Sequence, residues 1–191
     1  MNNNENAVLN VPNSLTAIRL ILAFVVFGLI SQQQYVAALI VFIIAASTDW
    51  VDGYWARRFQ QTTKLGRVFD PFVDKIIICG AFIFLAAEKN SGVAAWVAVV
   101  VMGREMLVTA LRSAIEQGGG DFSAKWAGKL KMGFQCVAVG ASLLLLTYAG
   151  QPPSWLKILL PVSVWLTVIS TVYSGGEYVL AAMRFWRAEP A

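Results

Sequence analysis

The segment at residues 35–58 reads YVAALIVFIIAASTDWVDGYWARR, an apolar run that closes on two aspartates and two arginines. A helix needs roughly 20 apolar residues to cross the hydrocarbon core of a bilayer, and this segment has that length. Asp49 and Asp52 stand near its end, three residues apart, so they share one face of a helix. Ionisable residues are costly inside such a segment. The segment therefore predicts a transmembrane helix that carries part of a functional site.

The rest of the chain has the same apolar character. Of its 191 residues, 58% are hydrophobic and 14% are charged, whereas a soluble domain is close to half apolar and about a quarter charged. We expect an all-α polytopic membrane protein with six transmembrane helices, built as a single domain over residues 1–191, with a polar cavity that faces the cytoplasm. The predicted spans are 13–31, 35–58, 67–88, 92–117, 127–149 and 154–184.

Lysines and arginines are distributed unevenly among the connections between these segments. They crowd the regions around residues 57–67 and 112–131 and the C-terminal tail, and they are scarce in the other connections. Because cytoplasmic loops carry the excess of basic residues, both termini and the active site are expected on the cytoplasmic side of a multi-pass protein of the cell (inner) membrane. Lys125 and Lys131 are interpreted as ordinary flanking cations of this kind. The net charge of +4 then indicates the lipid bilayer and anionic substrates as partners, and no nucleic acid.

The chain contains no histidine, and its two cysteines, Cys79 and Cys136, lack metal-ligand spacing. Zinc and haem sites, and nucleophilic schemes that need histidine, are therefore excluded. Any acid–base chemistry falls to carboxylates, lysine or tyrosine.

A second pair of aspartates, Asp70 and Asp74, lies four residues apart in the third segment. Four carboxylates on two neighbouring helices repel one another unless a cation neutralises them, and Mg²⁺ or Mn²⁺ with oxygen ligands does so. Two such ions can clamp a phosphoryl centre. The pattern by itself leaves two alternatives open: intramembrane salt bridges, and a small cation or proton transporter. Small residues at helical offsets leave room for a ligand, and a nearby arginine is placed to meet a phosphate; these are Gly53, Ala56, Gly66 and Arg57.

The pattern Asp49, Asp52, Gly53, Ala56, Arg57, Gly66, Asp70 and Asp74 resembles the signature of the CDP-alcohol phosphotransferase family, and every fixed position is filled. The resemblance implies a homodimer that uses two divalent cations, Mg²⁺ or Mn²⁺, and CDP-diacylglycerol. It implies that the four aspartates hold the metal ions and that Asp74 is also the catalytic base. The CDP-lipid would be bound by Gly53, Ala56, Arg57, Thr63 and Gly66, with Asn13 and Thr16 in the first segment.

The fourth and fifth segments contain Arg104-Glu105 with Arg112, and Gly128-Lys129 with Lys131. These stretches resemble the branch of the family that makes phosphatidylglycerophosphate and CMP from CDP-diacylglycerol and glycerol 3-phosphate. The acceptor's phosphate would be bound by Arg104, Arg112 and Lys129. Inositol phosphate or serine as acceptor is the alternative within the family. Glu177, in an apolar context, has no assigned role.

Overall fold

The computed structural model describes residues 11–59, 64–117, 126–148 and 151–188, with the backbone alone at 11–13, 15, 49–59, 64–71, 74, 116, 126–129 and 188. These described residues form six α-helices and no strand. The all-α prediction is confirmed, and each helix agrees with its predicted segment to within a few residues. The helices are α1 (Val11–Ser31), α2 (Tyr35–Phe59), α3 (Lys64–Ala87), α4 (Ala95–Gln117), α5 (Trp126–Thr147) and α6 (Ser154–Ala188).

Short turns reverse the chain at one end of the bundle. Gln33 between α1 and α2, and Asn90 between α3 and α4, adopt left-handed φ values of 59° and 65°, which end a right-handed helix. Gly92 follows at φ 73°, where the lack of a Cβ removes the steric penalty. These turns make α1 antiparallel to α2, and α3 antiparallel to α4. We call the end that holds these turns the turn end, and the opposite end, where α2 stops and α3 starts, the motif end.

Helix α1 packs against both α2 and α3, α5 packs against α2, α3 and α6, and α4 joins the bundle through α3 and α6. Most of the large, fully buried apolar side chains lie in the half of the bundle nearer the turn end, while Val73 and Ile115 lie nearer the motif end. Large members of this core are Val26 and Ile30 of α1, Phe82 and Leu85 of α3, Val97 of α4, Leu143 of α5 and Leu156 of α6. This core holds the helices together at the turn end.

The outer surface of the bundle is strongly apolar. Val99, Met106 and Ile158 expose 69%, 63% and 66% of their area. Packing among the described helices therefore leaves these apolar side chains uncovered. Two helices in the described residues carry stretches long and apolar enough to cross a bilayer, Leu130–Thr147 and Ser154–Arg187. Three others carry shorter apolar stretches, Thr16–Ser31, Tyr35–Thr48 and Lys75–Ala87. The prediction of six spans stays a prediction.

Candidate active site

One hydrogen bond at the turn end joins the start of α2 to the residue after α3, and both helices pack on α1. Tyr35, the first residue of α2, donates through its hydroxyl to Glu88 Oε2, just past α3, at 2.8 Å. Asp49 follows Tyr35 by fourteen residues, and Asp74 precedes Glu88 by fourteen residues. At 1.5 Å per residue, both aspartates lie about 21 Å from this bond. Asp49 and Asp74 therefore lie at similar distances from the turn end along their own helices.

The other two aspartates follow the same register. Asp52 and Asp70 lie about 26 Å from the Tyr35–Glu88 bond along their helices, one turn nearer the motif end. Two neighbouring levels thus carry two aspartates each, one on α2 and one on α3. A donor set of four carboxylates is the hard oxygen chemistry that Mg²⁺ and Mn²⁺ take. The residues present fit a divalent-cation site.

Several predicted site residues lie outside the described side chains. Among those that are described, no group of three or more His, Cys, Asp or Glu could hold a metal ion. The roles predicted for the undescribed side chains stay predictions. They belong to Asp49, Asp52, Asp70, Asp74, Ala56, Arg57, Asn13 and Lys129, together with the positions Gly53 and Gly66; Thr63 lies outside the described residues altogether.

Helix α1 brings its first turns to the level of the motif. A short turn connects α1 to α2. Asn13 on α1 and Gly53 on α2 lie about the same number of residues from this turn. Thr16, one turn further along α1, is 7% exposed, and Arg19 on the same face is 3% exposed. Thr16 and Arg19 of α1 therefore face the interior of the bundle, and the placement of Asn13 and Thr16 beside the ligand stays a prediction.

A buried layer of charge joins α4 to α5. Glu105 Oε1 accepts a hydrogen bond from Arg104 Nη1 at 3.2 Å and a second from Lys131 Nζ. The three side chains are nearly closed to solvent, with 11%, 10% and 7% exposed, respectively. One carboxylate thus faces two cations inside the bundle.

The interpretation of Lys131 as a flanking surface cation is wrong. Its position near the start of α5 resembles that of a loop-proximal lysine, but its side chain turns inward because Glu105 of α4 provides an anion there. Lysine is almost never fully buried unless it is paired, and this pairing is tertiary. The sequence signal that was available is Glu105 itself, an acid within an apolar helix.

Arg104 continues this layer to α6. Its Nη2 donates a hydrogen bond to Ser174 Oγ, and its Cζ lies 5.5 Å from the centre of the Tyr178 ring. Arg112, eight residues further along α4, is exposed, about 12 Å away along the helix axis. The structure therefore gives the two predicted acceptor ligands different surroundings. Their joining with Lys129 into one phosphate site stays a prediction.

A cavity of about 740 Å³ opens between α3 and α4. Its wall is mostly apolar, with Phe72, Cys79 and Met106 among its members, and Glu105 marks where it reaches the buried charge layer. Lys75 lies in this wall and donates to Thr109 Oγ1 across the gap. The cytoplasm-facing polar cavity that the sequence predicts is a different feature, and it stays a prediction.

The sequence profile described as CDP-alcohol phosphatidyltransferase matches residues 9–186. The chain belongs to this family. A Bacillus subtilis (strain 168) relative named CDP-diacylglycerol--glycerol-3-phosphate 3-phosphatidyltransferase is 37% identical over 145 residues, which cover 75% of this chain and 72% of the relative. Relatives of the same name from Haemophilus influenzae and Escherichia coli K12 are each 30% identical over 178 residues, covering 91% of this chain and 93% and 94% of their own.

Family membership confirms the resemblance predicted from the motif and favours a phosphatidyltransferase over a cation or proton transporter. The matched region contains α1 to α5 entirely and nearly all of α6. It therefore includes the two helices that carry the aspartates and the three helices that build the buried charge layer. Sequence reasoning missed Ser174 and Tyr178, which lie four residues apart on α6 among several other polar residues.

Proposed function

We propose that the chain transfers the phosphatidyl group of CDP-diacylglycerol to glycerol 3-phosphate, giving phosphatidylglycerophosphate and CMP in phospholipid biosynthesis. The observation that carries the proposal is the complete aspartate motif in the sequence of α2 and α3. The names of the relatives, which cover most of the chain, support the choice of acceptor. On this proposal the enzyme is a CDP-diacylglycerol–glycerol-3-phosphate 3-phosphatidyltransferase.

The proposed architecture is a single domain over residues 1–191 that crosses the cell (inner) membrane six times and forms a homodimer. The exposed apolar side chains around the bundle support a lipid environment, since an apolar surface of this extent is unfavourable in water. The excess of basic residues near the motif end supports a cytoplasmic site and cytoplasmic termini. CDP-diacylglycerol then enters from the bilayer, and glycerol 3-phosphate from the cytoplasm.

The proposed chemistry is an in-line displacement at the lipid phosphorus. The acceptor hydroxyl oxygen forms the new bond to phosphorus, its proton passes to the Asp74 carboxylate, and the bond to CMP breaks with its electron pair on the departing oxygen. A positioned carboxylate suffices as base because the hydroxyl becomes acidic as it bonds to phosphorus. Two divalent cations, Mg²⁺ or Mn²⁺, when held by Asp49, Asp52, Asp70 and Asp74, supply neutralisation of charge on the transferred phosphate.

The remaining predicted residues divide between the two substrates. Those near the metal ligands on α1 and α2, and in the connection to α3, bind the CDP-lipid: Asn13, Thr16, Gly53, Ala56, Arg57, Thr63 and Gly66. Arg104, Arg112 and Lys129 bind the acceptor's phosphate. The buried excess of positive charge around Glu105 supports this second assignment, because an anion would neutralise it.

The test is CMP release by the purified full chain from CDP-diacylglycerol with a panel of acceptors in the presence of Mg²⁺ or Mn²⁺. We expect glycerol 3-phosphate to be the preferred acceptor. Preference for an inositol phosphate or for serine would contradict the acceptor assignment but keep the reaction. The absence of acceptor-dependent CMP release would contradict the reaction itself.

A further inference from the structure

We propose that α6 belongs to the acceptor site: Ser174, Gly175 and Tyr178 form a socket that holds the Arg104 guanidinium in place for the acceptor's phosphate. Ser174 and Tyr178 are then positioning residues, which act through Arg104 and do not touch the substrate. The inference rests on the proposed function, in which Arg104 binds that phosphate.

Two contacts fix the guanidinium from the side of α6. Ser174 is fully buried and accepts a hydrogen bond from Arg104 Nη2. Tyr178, one turn further, is 7% exposed and presents its ring face 5.5 Å from Arg104 Cζ, within the range of a cation–π contact. The planar group is thus held at one edge and over one face, which restricts its rotation.

Gly175 lets the stem of Arg104 lie against α6. A Cβ built on Gly175 would stand 3.3 Å from Arg104 Cγ, closer than ordinary van der Waals contact. An added Cβ at 175 would require the stem of Arg104 to shift by a few tenths of an ångström. The next residue, Gly176, has nothing within 4 Å of its Cβ position. Of these two neighbouring glycines, Gly175 is therefore the one that lies close to the stem of Arg104.

The held guanidinium keeps donors free for a ligand. Arg104 uses Nη1 for Glu105 and Nη2 for Ser174, while Nε is buried without a hydrogen-bond partner in the described part of the chain. A buried donor without a partner is unfavourable. In addition, the two positive charges of Arg104 and Lys131 exceed the single negative charge of Glu105. An anion with oxygen acceptors, such as a phosphate, satisfies both needs.

A socket of purely structural importance would have different consequences. Loosening a structural contact lowers the melting temperature and the amount of active enzyme, which reduces the apparent kcat. Loosening a positioning contact weakens the binding of one substrate and leaves the binding of the other unchanged. The ratio of the KM for glycerol 3-phosphate to the KM for CDP-diacylglycerol separates the two roles.

The decisive experiment compares Ser174→Ala with Ser170→Ala in the full chain in detergent. Both remove one hydroxyl from α6, but within the described residues the Ser170 hydroxyl bonds to the Thr167 carbonyl of its own helix. We expect Ser174→Ala to raise the KM for glycerol 3-phosphate about tenfold, because it removes a hydrogen bond to a charged group. The KM for CDP-diacylglycerol should stay within about twofold, and Ser170→Ala should change neither.

A second pair tests the stem contact without removing any polar group. Gly175→Ala and Gly176→Ala raise helix propensity equally, so the difference between them reports the contact with Arg104. We expect Gly175→Ala to raise the KM for glycerol 3-phosphate about threefold and Gly176→Ala to leave it unchanged. If Ser174→Ala fails to fold, this pair decides the matter.

Arg104→Ala in the same assay separates the inference from the proposed function. A selective rise in the KM for glycerol 3-phosphate in Arg104→Ala, without one in Ser174→Ala or Gly175→Ala, overturns the socket and leaves the function standing. If Arg104→Ala does not selectively raise the KM for glycerol 3-phosphate, Arg104 does not bind the acceptor, and the proposed role of the socket is wrong as well. A wild-type chain that shows no acceptor-dependent CMP release overturns the proposed function first.

Discussion

At the scale of single residues, the unusual feature is a carboxylate shared by two cations inside the bundle. Glu105 bonds to Arg104 and Lys131, and all three are nearly closed to solvent. Removing one partner of a buried ion pair is costly because the remaining charge stays desolvated. The three positions are not equivalent, since Glu105 is the only anion of the group.

We therefore predict that neutralising Glu105 and neutralising Lys131 lower the free energy of unfolding by different amounts. Glu105→Gln leaves Arg104 and Lys131 facing each other without a carboxylate, and it should lower the free energy of unfolding by about 3–5 kcal/mol. Lys131→Met should cost less, because Glu105 keeps Arg104 at 3.2 Å. The measurement is unfolding in mixed micelles.

The double variant and a matched control complete this test. Glu105→Gln with Lys131→Met should be more stable than Glu105→Gln alone, since one unpaired cation is gone. Glu177→Gln on α6 makes the same chemical change where the carboxylate is only half-buried and receives a 3.4 Å bond from Tyr173, so it should have little effect. Equal losses for both single variants would contradict the shared-carboxylate arrangement.

Asp74 is the residue on which the proposed chemistry depends most. Asp74→Asn keeps the size of the side chain and one oxygen but cannot take a proton from the acceptor hydroxyl. We expect kcat to fall by a factor on the order of 10²–10⁴, with binding of the CDP-lipid retained better than in Asp49→Asn. Single-turnover CMP release and a lipid-binding assay measure the two effects. Near-normal turnover would exclude Asp74 as the base.

At the scale of helices, the contact of α1 with α3 brings Thr16 and Arg19 towards the motif. Gly80 of α3 faces the ring of Phe27, which stacks on Phe84 with ring centres 5.0 Å apart. A Cβ at position 80 would overlap the Phe27 ring. The glycine therefore allows the close approach of the two helices.

We predict that Gly80→Ala destabilises the protein by about 1–3 kcal/mol, the usual cost of overpacking. Gly28→Ala is the matched control, because nothing lies within 4 Å of its Cβ position one residue from Phe27. Thermal unfolding in detergent measures both. Stability of Gly80→Ala equal to that of Gly28→Ala would mean that α1 and α3 separate at no cost.

At the scale of the whole molecule, the bundle divides into two halves along its length. Apolar side chains fill the half at the turn end, from Val26 and Ile30 to Leu143 and Leu156. The half at the motif end holds the buried charge layer and carries the aspartate motif on the backbone of α2 and α3. The main apolar core and the aspartate motif thus lie in different parts of the same helices.

This division leads to a prediction about metal ions. On the proposed function, four aspartates crowd the motif end, so activity should require a divalent cation. We expect CMP release to stop in excess chelator and to return with Mg²⁺ or Mn²⁺. Asp49→Asn and Asp70→Asn should shift the metal concentration needed for half-maximal rate upwards. Full turnover in excess chelator would contradict the metal site.

What the sequence determined by itself is what depends on spacing along the chain. Apolar segments about 20 residues long predicted six helices, because helix length and hydrophobic content are local properties. The fixed offsets between Asp49 and Asp74 predicted the family. The offsets also predicted that two acids share a face on each of two helices, since a helix has a regular period.

What only the tertiary structure decided is which distant groups meet. No local pattern states that Lys131 turns inward to Glu105 or that Ser174 and Tyr178 hold Arg104, because each of these contacts joins residues on different helices. The Tyr35–Glu88 bond between helix ends is likewise a contact that only the folded chain shows. Burial makes these pairings strong: in a low-dielectric interior a charge is stable only where the fold supplies its partner.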